Sequence, residues 1–264
     1  MIFLLPCFSR VVEYLIQKYI FSMVSKNQIK LITSLQQKKY RLQHKMFVAE
    51  GVKVIQELLQ SNFELQHLYA TETLFESVPS PKKTMISANE LQKITALTTA
   101  NNCLAVFMIP ETKPLIEKGL LVALDDIRDP GNLGTILRMC DWYGIEHLVC
   151  SKETVDVYNP KVIQATMGSI ARVQVHYLDL NAFIVTTSLP VYGTFMNGEN
   201  IYKEKLPKEA VIVLGNEANG ISSTLEKSIK NHITIPRFGK YQQTESLNVA
   251  SAAAIVLSEF RRGF

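Results

Sequence analysis

The sequence predicts a two-domain α/β protein, and three features carry that prediction. From residue 119 onward, short apolar segments alternate with helical segments, a pattern typical of a parallel sheet covered by helices on both faces. Residues 24–109 mix helical and strand patterns and lead into 110–114 (PETKP), the best linker. The 264 residues, 47% of them hydrophobic, suffice for one large domain or two small ones.

The C-terminal pattern contains five strand-like and three helical segments. The strand-like segments are apolar runs, as expected for strands buried on both faces. In the last helical segment, six apolar residues share one face. Strands are predicted at 119–125, 147–150, 190–195, 210–215 and 232–236, and helices at 132–143, 159–167 and 247–262.

The N-terminal pattern predicts a smaller, mixed domain. A weak helical period precedes a short strand, and a clear helical stripe follows it. A segment with two prolines is predicted as a loop. The helical patterns cover 26–40 and 52–59, the strands 46–49, 68–70 and 103–109, and the loop 77–83.

The first 22 residues are apolar and aromatic, but Arg10, Glu13 and Lys18 interrupt them. The uninterrupted apolar run is too short to span a bilayer, and no clear signal-peptide cleavage site follows it. An ordinary polar, basic segment begins after Met23. We therefore expect translation to start at Met23 and 1–22 to be a non-native or disordered extension, which an intact-mass measurement would test.

The net charge of +4 is unevenly distributed. Residues 24–113 carry 11 Lys/Arg against 7 Asp/Glu, whereas 114–264 carry 15 against 16. Six basic residues without an intervening acid lie in one twenty-residue stretch: Lys26, Lys30, Lys38, Lys39, Arg41 and Lys45. Such a stretch can attract phosphates, and a solvated helix face is the alternative.

Cysteine and histidine usage argues against a disulfide framework and against a metal site. The four cysteines form no C-x-x-C pair, which argues against a disulfide framework and a structural zinc site and favours a reduced, cytoplasmic setting. The five histidines show no ligand spacing, so no metal is predicted. Trp142 and Cys140 are predicted to lie in the core.

Polar segments follow predicted strands at the positions where open α/β sheets bind ligands. The first, 129–138 (DPGNLGTILR), opens a helix, and Asn132 is a good N-cap type. The second, 214–220 (LGNEANG), follows an apolar strand and places the Glu217 carboxylate at its tip. Each of these two is as compatible with an ordinary capped turn as with a ligand site.

A third polar segment leads into the final helix. It consists of 235–239 (IPRFG), a polar loop and 245–250 (ESLNVA), which places Ser246 and Asn248 at the helix start. Helix capping alone explains one of these two side chains but not both so readily.

The order and content of the three segments resemble the SpoU (TrmH) family of S-adenosylmethionine-dependent RNA ribose 2′-O-methyltransferases, within the SPOUT superfamily. The segments are similar to that family's N-x-G-x-x-x-R, L-G-x-E-x-x-G and I-P…S-L-N-V-A motifs. Each motif alone is weak, whereas all three in order are specific. The matching residues are Asn132, Gly134, Arg138, Leu214, Gly215, Glu217, Gly220, Ile235, Pro236 and 246–250.

The resemblance covers roughly 118–262 and implies a SPOUT α/β-knot, a parallel sheet whose C-terminal end forms a deep trefoil knot. Residues 24–110 are similar, more loosely and through 45–51 (KMFVAEG), to the family's small α/β L30-like substrate-binding domain. The implied organisation is an extension at 1–22, an L30-like RNA-binding domain at 23–110, a linker at 111–117 and a catalytic domain at 118–264.

The resemblance also implies site residues and a reaction, the in-line attack of a ribose 2′-oxygen on the sulfonium methyl. The implied catalytic residues are Asn132, Arg138, Glu217, Ser246 and Asn248. The implied contacts of S-adenosylmethionine, largely through backbone groups, are Gly215, Ile235 and Leu247, with Leu214, Asn216 and, more weakly, Thr194.

Roles for the implied catalytic residues follow from their chemistry. A guanidinium normally stays protonated, so we expect Arg138 to bind phosphate and stabilise the alkoxide rather than act as a base. Glu217 is expected to orient Arg138 or Asn132. Ser246 and Asn248 are expected to hold the ribose or Arg138.

The implied partners are RNA, with ribosomal RNA favoured, and a second copy of the chain bound through the catalytic domain. Lys38, Lys39, Arg41 and Lys45 are the expected RNA contacts. Two departures from the family pattern are Ser169, where Ala is more frequent, and a longer loop containing Lys240, Tyr241, Gln242 and Gln243, in which Tyr241 could stack on a base or be merely solvated.

Three alternatives remain open: a transfer-RNA ribose methyltransferase, a catalytically inactive RNA-binding relative and a nucleotide-dependent dehydrogenase. The absence of a G-x-G-x-x-G fingerprint argues against the dehydrogenase.

Overall fold

The computed structural model describes residues 22–241 and 246–262. The predicted extension lies outside these residues except for Ser22, and so do Gln242 and Gln243 of the long loop. The chain divides into two compact units, with the boundary in the sequence between Pro110 and Glu111.

The described residues of the N-terminal unit, 22–110, form a four-stranded sheet and four α-helices. The sheet order is β1-β4-β2-β3, with β4 antiparallel to both β1 and β2 and with β2 parallel to β3. The elements are α1 (Lys26–Ser34), α2 (Lys38–His44), β1 (Met46–Glu50), α3 (Val52–Leu59), β2 (Leu65–Ala70), β3 (Lys83–Met85), α4 (Ala88–Gln92) and β4 (Cys103–Met108). The helical pattern at 26–40 thus forms two helices, and β3 and α4 were not predicted.

The C-terminal unit is the predicted parallel sheet with helices between its strands. Its order is β10-β8-β9-β5-β6-β7, and every named pair is parallel. The elements are β5 (Leu120–Leu124), α5 (Pro130–Trp142), β6 (His147–Cys150), α6 (Pro160–Thr166), β7 (Gln174–Tyr177), α7 (Leu180–Thr186), β8 (Val191–Asn200), β9 (Ala210–Leu214), α8 (Ser223–Glu226), β10 (Asn231–Thr234) and α9 (Val249–Arg261).

The central strands explain why this unit is a stable scaffold. All residues of β5 and β9 are buried, as expected for strands covered on both faces. The chain runs outward from β5 to β7, then returns to the other side of β5, so the strand order reverses between β5 and β9. Ligands of open α/β sheets bind at such a reversal, beyond the carboxyl ends of the strands. The trefoil knot implied by the resemblance stays a prediction.

The end of α5 corrects one core prediction and confirms the other. Cys140 is fully buried, whereas Trp142 is 85% exposed. The helix ends at Trp142, and neighbouring polar contacts hold this end without the ring: Asp141 forms an ion pair with Arg172, and Arg261 donates from Nε to the Tyr143 carbonyl oxygen at 2.9 Å. The indole therefore projects from the helix end.

Two buried histidines join the neighbouring strands β6 and β7. Nδ1 of His147 lies 2.9 Å from Nε2 of His176, and both rings are almost completely buried. Burial lowers the pKa of both rings, opposed at His147 by Glu146 and reinforced at His176 by the charge of its partner ring.

We expect this pair to make the fold sensitive to acid. Because the folded state lowers both pKa values below their unfolded values, the stabilisation is present above about pH 6.5 and is lost as the pH falls through the folded pKa values. Denaturant unfolding between about pH 7.5 and 5 should show a smaller decline in the His147→Leu/His176→Leu variant than in the wild type. His44→Gln, in the other unit, is the control; equal declines in all three proteins would contradict this role of the pair.

Candidate active site

The three polar segments lie at the carboxyl edge of the C-terminal sheet. The first joins β5 to α5, the second follows β9, and the third leads from β10 to α9. Since β5 and β9 are adjacent, their segments face each other across the point where the strand order reverses.

The first turn of α5 is capped differently from the prediction. Asp129, not Asn132, is the N-cap: its Oδ1 accepts from the Asn132 backbone N–H at 2.8 Å, with Pro130 at the first helical position. Asn132 lies three residues further on, so its side-chain amide is not used for capping. The Asn132 amide is therefore available for contacts between the polar segments.

A relay of side-chain hydrogen bonds joins all three segments. Asn248 is the N-cap of α9, and its Oδ1 accepts from the N–H groups of Ala250 at 3.0 Å and Ser251 at 3.2 Å. Its Nδ2 donates to Oδ1 of Asn132 at 3.0 Å. Nδ2 of Asn132 in turn donates to Oε1 of Glu217 at 2.5 Å.

The chemistry of each group fixes the direction of this Asn248–Asn132–Glu217 relay. Helix N–H groups only donate, so they require the oxygen of Asn248 and leave its NH2 to face Asn132. Asn132 must then present its oxygen to Asn248 and its NH2 to Glu217. An ionised carboxylate only accepts, which makes Glu217 a suitable end of the relay.

A second set of bonds shapes the Glu217 loop through Asn216. The backbone N–H and C=O of Asn216 pair with Gly220 at 3.0 and 2.8 Å, and its Oδ1 accepts from Ala218 N at 2.9 Å and Asn219 N at 3.1 Å. Its Nδ2 donates to the Asp126 carbonyl oxygen at 2.7 Å. The Asn216 side chain, implied to lie beside the cofactor, is thus used to lock this loop to the segment after β5.

Two glycines of the motifs are explained by close packing. A Cβ on Gly215 would lie 2.2 Å from the carbonyl carbon of Gly220 and from the backbone nitrogen of Ile221. A Cβ on Gly134 would lie 2.4 Å from Cβ of Ala165, so this glycine lets α5 approach α6. Both positions exclude any side chain.

Sequence reasoning missed the two aspartates directly after β5. The Asp125 carboxylate accepts from the backbone N–H of Ser222 at 2.8 Å, which ties it to the end of the Glu217 loop. Asp126 has a positive φ of 57°, and its N–H donates to Oγ of Ser151 at 3.0 Å. Their signal in the sequence was two acids immediately after an apolar strand.

The implied cofactor residues differ in what they can offer. The Leu214 side chain is buried in the core, so only its backbone can reach a ligand, and the Thr194 hydroxyl donates to the Val213 carbonyl oxygen at 3.1 Å. Ile235 is half-buried and Leu247 is 48% exposed. These two apolar side chains and the side-chain-free Gly215 backbone fit a ligand with a flat, apolar face and a few hydrogen-bonding groups.

Arg138 and Ser246 are not part of the relay. Arg138 lies six residues beyond Asn132 on α5, about 9 Å along the helix axis. It is exposed and makes no hydrogen bond or ion pair with the described residues, so Glu217 orients Asn132 rather than Arg138. Ser246 is exposed and lies two residues before Asn248, the N-cap of α9.

The basic stretch of the N-terminal unit contains exposed lysines and one buried arginine. Lys38, Lys39 and Lys45 are exposed, as an RNA contact requires. Arg41 is only 2% exposed, and its Nη1 donates to the carbonyl oxygens of Leu35 and Gln36, both at 2.9 Å. Arg41 thus holds the turn between α1 and α2, and its side chain lacks the exposure that an RNA contact requires.

Neither a cluster of metal-ligand side chains nor a long apolar helix occurs in the described parts of the chain. Those residues contain no group of three or more His, Cys, Asp or Glu that could hold a metal ion. None of their helices is long and apolar enough to cross a membrane.

Comparison with known proteins identifies the family. The model of the SpoU rRNA methylase family matches residues 119–258, and that of the MRM3-like substrate-binding domain matches 26–105. The chain belongs to the SpoU rRNA methylase family. The 23S rRNA (guanosine(2553)-2′-O)-methyltransferase RlmP of Bacillus subtilis is 30% identical over 247 residues, which cover 90% of this chain and 97% of that protein.

Solved structures of SpoU relatives share the fold of this chain. A Porphyromonas gingivalis protein assigned to the TrmH family of RNA methyltransferases is 38% identical, with a TM-score of 0.83 over 91% of this chain and 99% of that one. An AdoMet-bound rRNA methyltransferase from Sinorhizobium meliloti is 27% identical, with a TM-score of 0.81 over 92% and 97% of the two chains.

If the relay supports catalysis, exchanging the amide of Asn132 and the carboxylate of Glu217 together should restore the methyl transfer that the single exchange at Asn132 impairs. Asn132→Asp places a carboxylate against Glu217, so we expect kcat/KM for methyl transfer to fall by about tenfold or more. Adding Glu217→Gln provides an NH2 group to the new carboxylate, which can still accept from Asn248. The double variant should therefore recover most of the loss in a double-mutant cycle.

The outcome that contradicts the relay is additivity. If Asn132→Asp and Glu217→Gln reduce kcat/KM independently, and the double variant shows the product of both losses, the two side chains do not act through their mutual hydrogen bond. Thermal unfolding of each variant excludes a general loss of fold as the cause.

Proposed function

We propose that this SpoU family member transfers a methyl group from S-adenosylmethionine to a ribose 2′-hydroxyl of RNA, with ribosomal RNA as the substrate. The observation that carries the proposal is the Asn248–Asn132–Glu217 relay. It joins the three motif segments where an open α/β sheet binds ligands.

The cofactor proposal rests on the fit of the residues around the relay. Gly215, Ile235 and Leu247 are the residues that would hold S-adenosylmethionine, with backbone groups and two apolar side chains. When bound, the cofactor supplies an electrophilic methyl group. The protein supplies orientation, because a rigid arrangement of both reactants lowers the entropic part of the barrier.

Arg138 is proposed to bind an RNA phosphate and to stabilise negative charge on the 2′-oxygen. Its guanidinium has no partner among the described residues, so binding a phosphate breaks no contact in this part of the protein. Ser246 and Asn248 are proposed to position the ribose, with Asn248 held by its bonds to α9 and to Asn132.

Ribosomal RNA is proposed as the substrate for two reasons. Only RNA carries the 2′-hydroxyl. RlmP, which matches nearly the whole chain, is named for a guanosine of 23S rRNA, and the N-terminal unit matches a substrate-binding domain model. Transfer RNA is the second candidate, since a 26% identical Synechocystis relative is named a tRNA/rRNA methyltransferase.

We further propose a homodimer formed through the catalytic domain, in the cytoplasm. The exposed Trp142 ring supplies apolar surface on that unit for a subunit interface. The three described cysteines are buried without disulfide bonds, consistent with a reducing compartment.

The domain limits proposed are 23–110 for the RNA-binding domain, 111–117 for the linker and 118–264 for the catalytic domain.

Labelled methyl transfer tests the function. The full-length protein is incubated with S-adenosylmethionine carrying a tritiated methyl group and with deproteinised RNA from cells that lack this gene. We expect label in large-subunit rRNA. Label in transfer RNA favours the second candidate, and binding of cofactor without transfer favours an inactive RNA-binding relative.

Arg138→Ala should lower kcat by about 10²–10³-fold, the loss typical of removing one group that stabilises developing charge. Arg138→Lys should retain part of the activity, because it keeps the charge without the bidentate geometry. Calorimetry should show unchanged affinity for S-adenosylmethionine. Near-normal turnover by Arg138→Ala would contradict the assigned role.

Substitutions in the basic stretch should change RNA binding at its lysines and protein stability at its arginine. Lys38→Ala, Lys39→Ala and Lys45→Ala should weaken RNA binding, and removing one lysine–phosphate interaction should reduce the salt slope of log K by about 0.7–0.9. Arg41→Ala should instead destabilise the N-terminal unit by about 1–3 kcal/mol, because two carbonyl groups lose their partner. These assignments would be reversed if a lysine variant had a lower free energy of unfolding than the wild type. They would also be reversed if Arg41→Ala kept the wild-type stability but bound RNA weakly.

A further inference from the structure

Two aromatic side chains pair at the carboxyl edge of the catalytic sheet. Tyr202 lies in the short 3₁₀ helix after β8, and Phe238 lies four residues after β10. Their ring centroids are 6.5 Å apart and their planes are inclined by 27°. Because Thr234 is paired with Asn200 at the ends of the two parallel strands, both rings project from the same edge.

The exposure of this Tyr202–Phe238 pair calls for a functional explanation. Phe238 is 83% exposed, and the following Gly239 has open space around it, so the ring is not part of a core. Tyr241 is 77% exposed, and Nζ of Lys240 lies 5.8 Å from its ring centroid. A pair of exposed rings is available to cover an apolar or aromatic face of a ligand.

The charge around the pair is complementary to a nucleic acid. The C-terminal half of the chain has nearly balanced charge. The segments that carry the rings, 202–205 and 237–241, contain four basic side chains and one acidic side chain. They are Lys203, Lys205, Arg237, Lys240 and Glu204. Positive charge interleaved with aromatic rings is the usual composition of a surface that binds single-stranded nucleic acid.

The pair is close enough to the relay to act on the same RNA. In the sheet, β8 and β10 are two and three strands away from β5. A spacing of about 4.8 Å between strands puts the ends of β8 and β10, from which the rings project, roughly 10–15 Å from the end of β5. Phe238 also precedes Asn248 by only ten residues, in the connection between β10 and α9.

We infer that the Tyr202–Phe238 pair is a stacking platform for an unpaired base next to the methylated nucleotide, with Lys203 and Lys240 contacting the flanking phosphates. The inference rests on the proposed function and adds a requirement for a single-stranded flank. A base inside a helix has both faces covered by its neighbours, whereas an unpaired base exposes a face that an aromatic ring can cover.

The test compares variants that differ in the presence of the rings. Tyr202→Leu/Phe238→Leu keeps two apolar side chains but removes both rings, and Tyr202→Phe/Phe238→Tyr keeps both rings. Fluorescence anisotropy of the full-length chain measures binding to a fluorescein-labelled oligouridylate and to a blunt RNA duplex of the same length. Calorimetry measures the affinity for S-adenosylmethionine, and thermal unfolding confirms that each variant is folded.

We expect the leucine variant to bind oligouridylate about tenfold or more weakly, while the ring-preserving variant binds it like the wild type. Affinities for the duplex and for S-adenosylmethionine should be unchanged. In methyl transfer, KM for ribosomal RNA should rise with little change in kcat, because the platform contacts the flank and not the reacting ribose.

Three results would overturn the inference. In the first, the leucine variant binds oligouridylate with wild-type affinity. In the second, its affinity for the duplex falls as much as its affinity for oligouridylate. In the third, its affinity for S-adenosylmethionine falls, which would place the rings over the cofactor instead. Ring-dependent oligouridylate binding by a wild-type chain that transfers no methyl group would support the platform and contradict the proposed function, so the two ideas fail separately.

Discussion

The hydrogen bonds from Asn248 to Asn132 and from Asn132 to Glu217 are the interaction on which the site depends. They connect positions 116 and 85 residues apart in the sequence. The N-terminus of α9 starts the relay by fixing the Asn248 amide, and the carboxylate of Glu217 ends it. Each intermediate group has one orientation that satisfies both neighbours, so a change at one position disturbs the others.

The scaffold beneath the relay limits how far its members can move. The buried central strands β5 and β9 hold the first two segments side by side. The Asn216 amide and the Asp125 carboxylate then tie these segments together with bonds of 2.7 and 2.8 Å. Gly215 permits the sharp approach of backbone to backbone in that loop. A methyltransferase gains rate from this rigidity, because the reacting groups must be aligned before transfer.

Sequence reasoning predicted the placement of the motifs better than the roles of individual side chains. Apolar strands followed by polar segments were sufficient to place Asn132, Glu217 and Asn248 in segments at one edge of a parallel sheet, and the resemblance added their catalytic roles. The caps were less predictable, since Asp129 and Asn132 are both good N-cap residues and only the backbone path decides between them.

The remaining differences between prediction and structure concern which side chains are buried. Arg41 was indistinguishable in sequence from its lysine neighbours, because the two carbonyl groups that it binds come from a turn that charge patterns do not reveal. Strand β7 (QVHY) has mixed polarity and only one buried residue, so it lacks the apolar run that identified the central strands. Trp142 is an apolar residue at the end of a helix. The helical period indicates which face of a helix is buried, but not whether another element packs against the helix end.

The position of the transferred methyl group is the most direct test of the proposed reaction. Alkali cleaves RNA through attack of a 2′-hydroxyl on the adjacent phosphate, so a methylated 2′-oxygen protects one linkage. After transfer of a tritiated methyl group to ribosomal RNA and complete alkaline hydrolysis, we expect label in a single alkali-resistant dinucleotide. Label in mononucleotides would place the methyl group on a base and contradict ribose methylation.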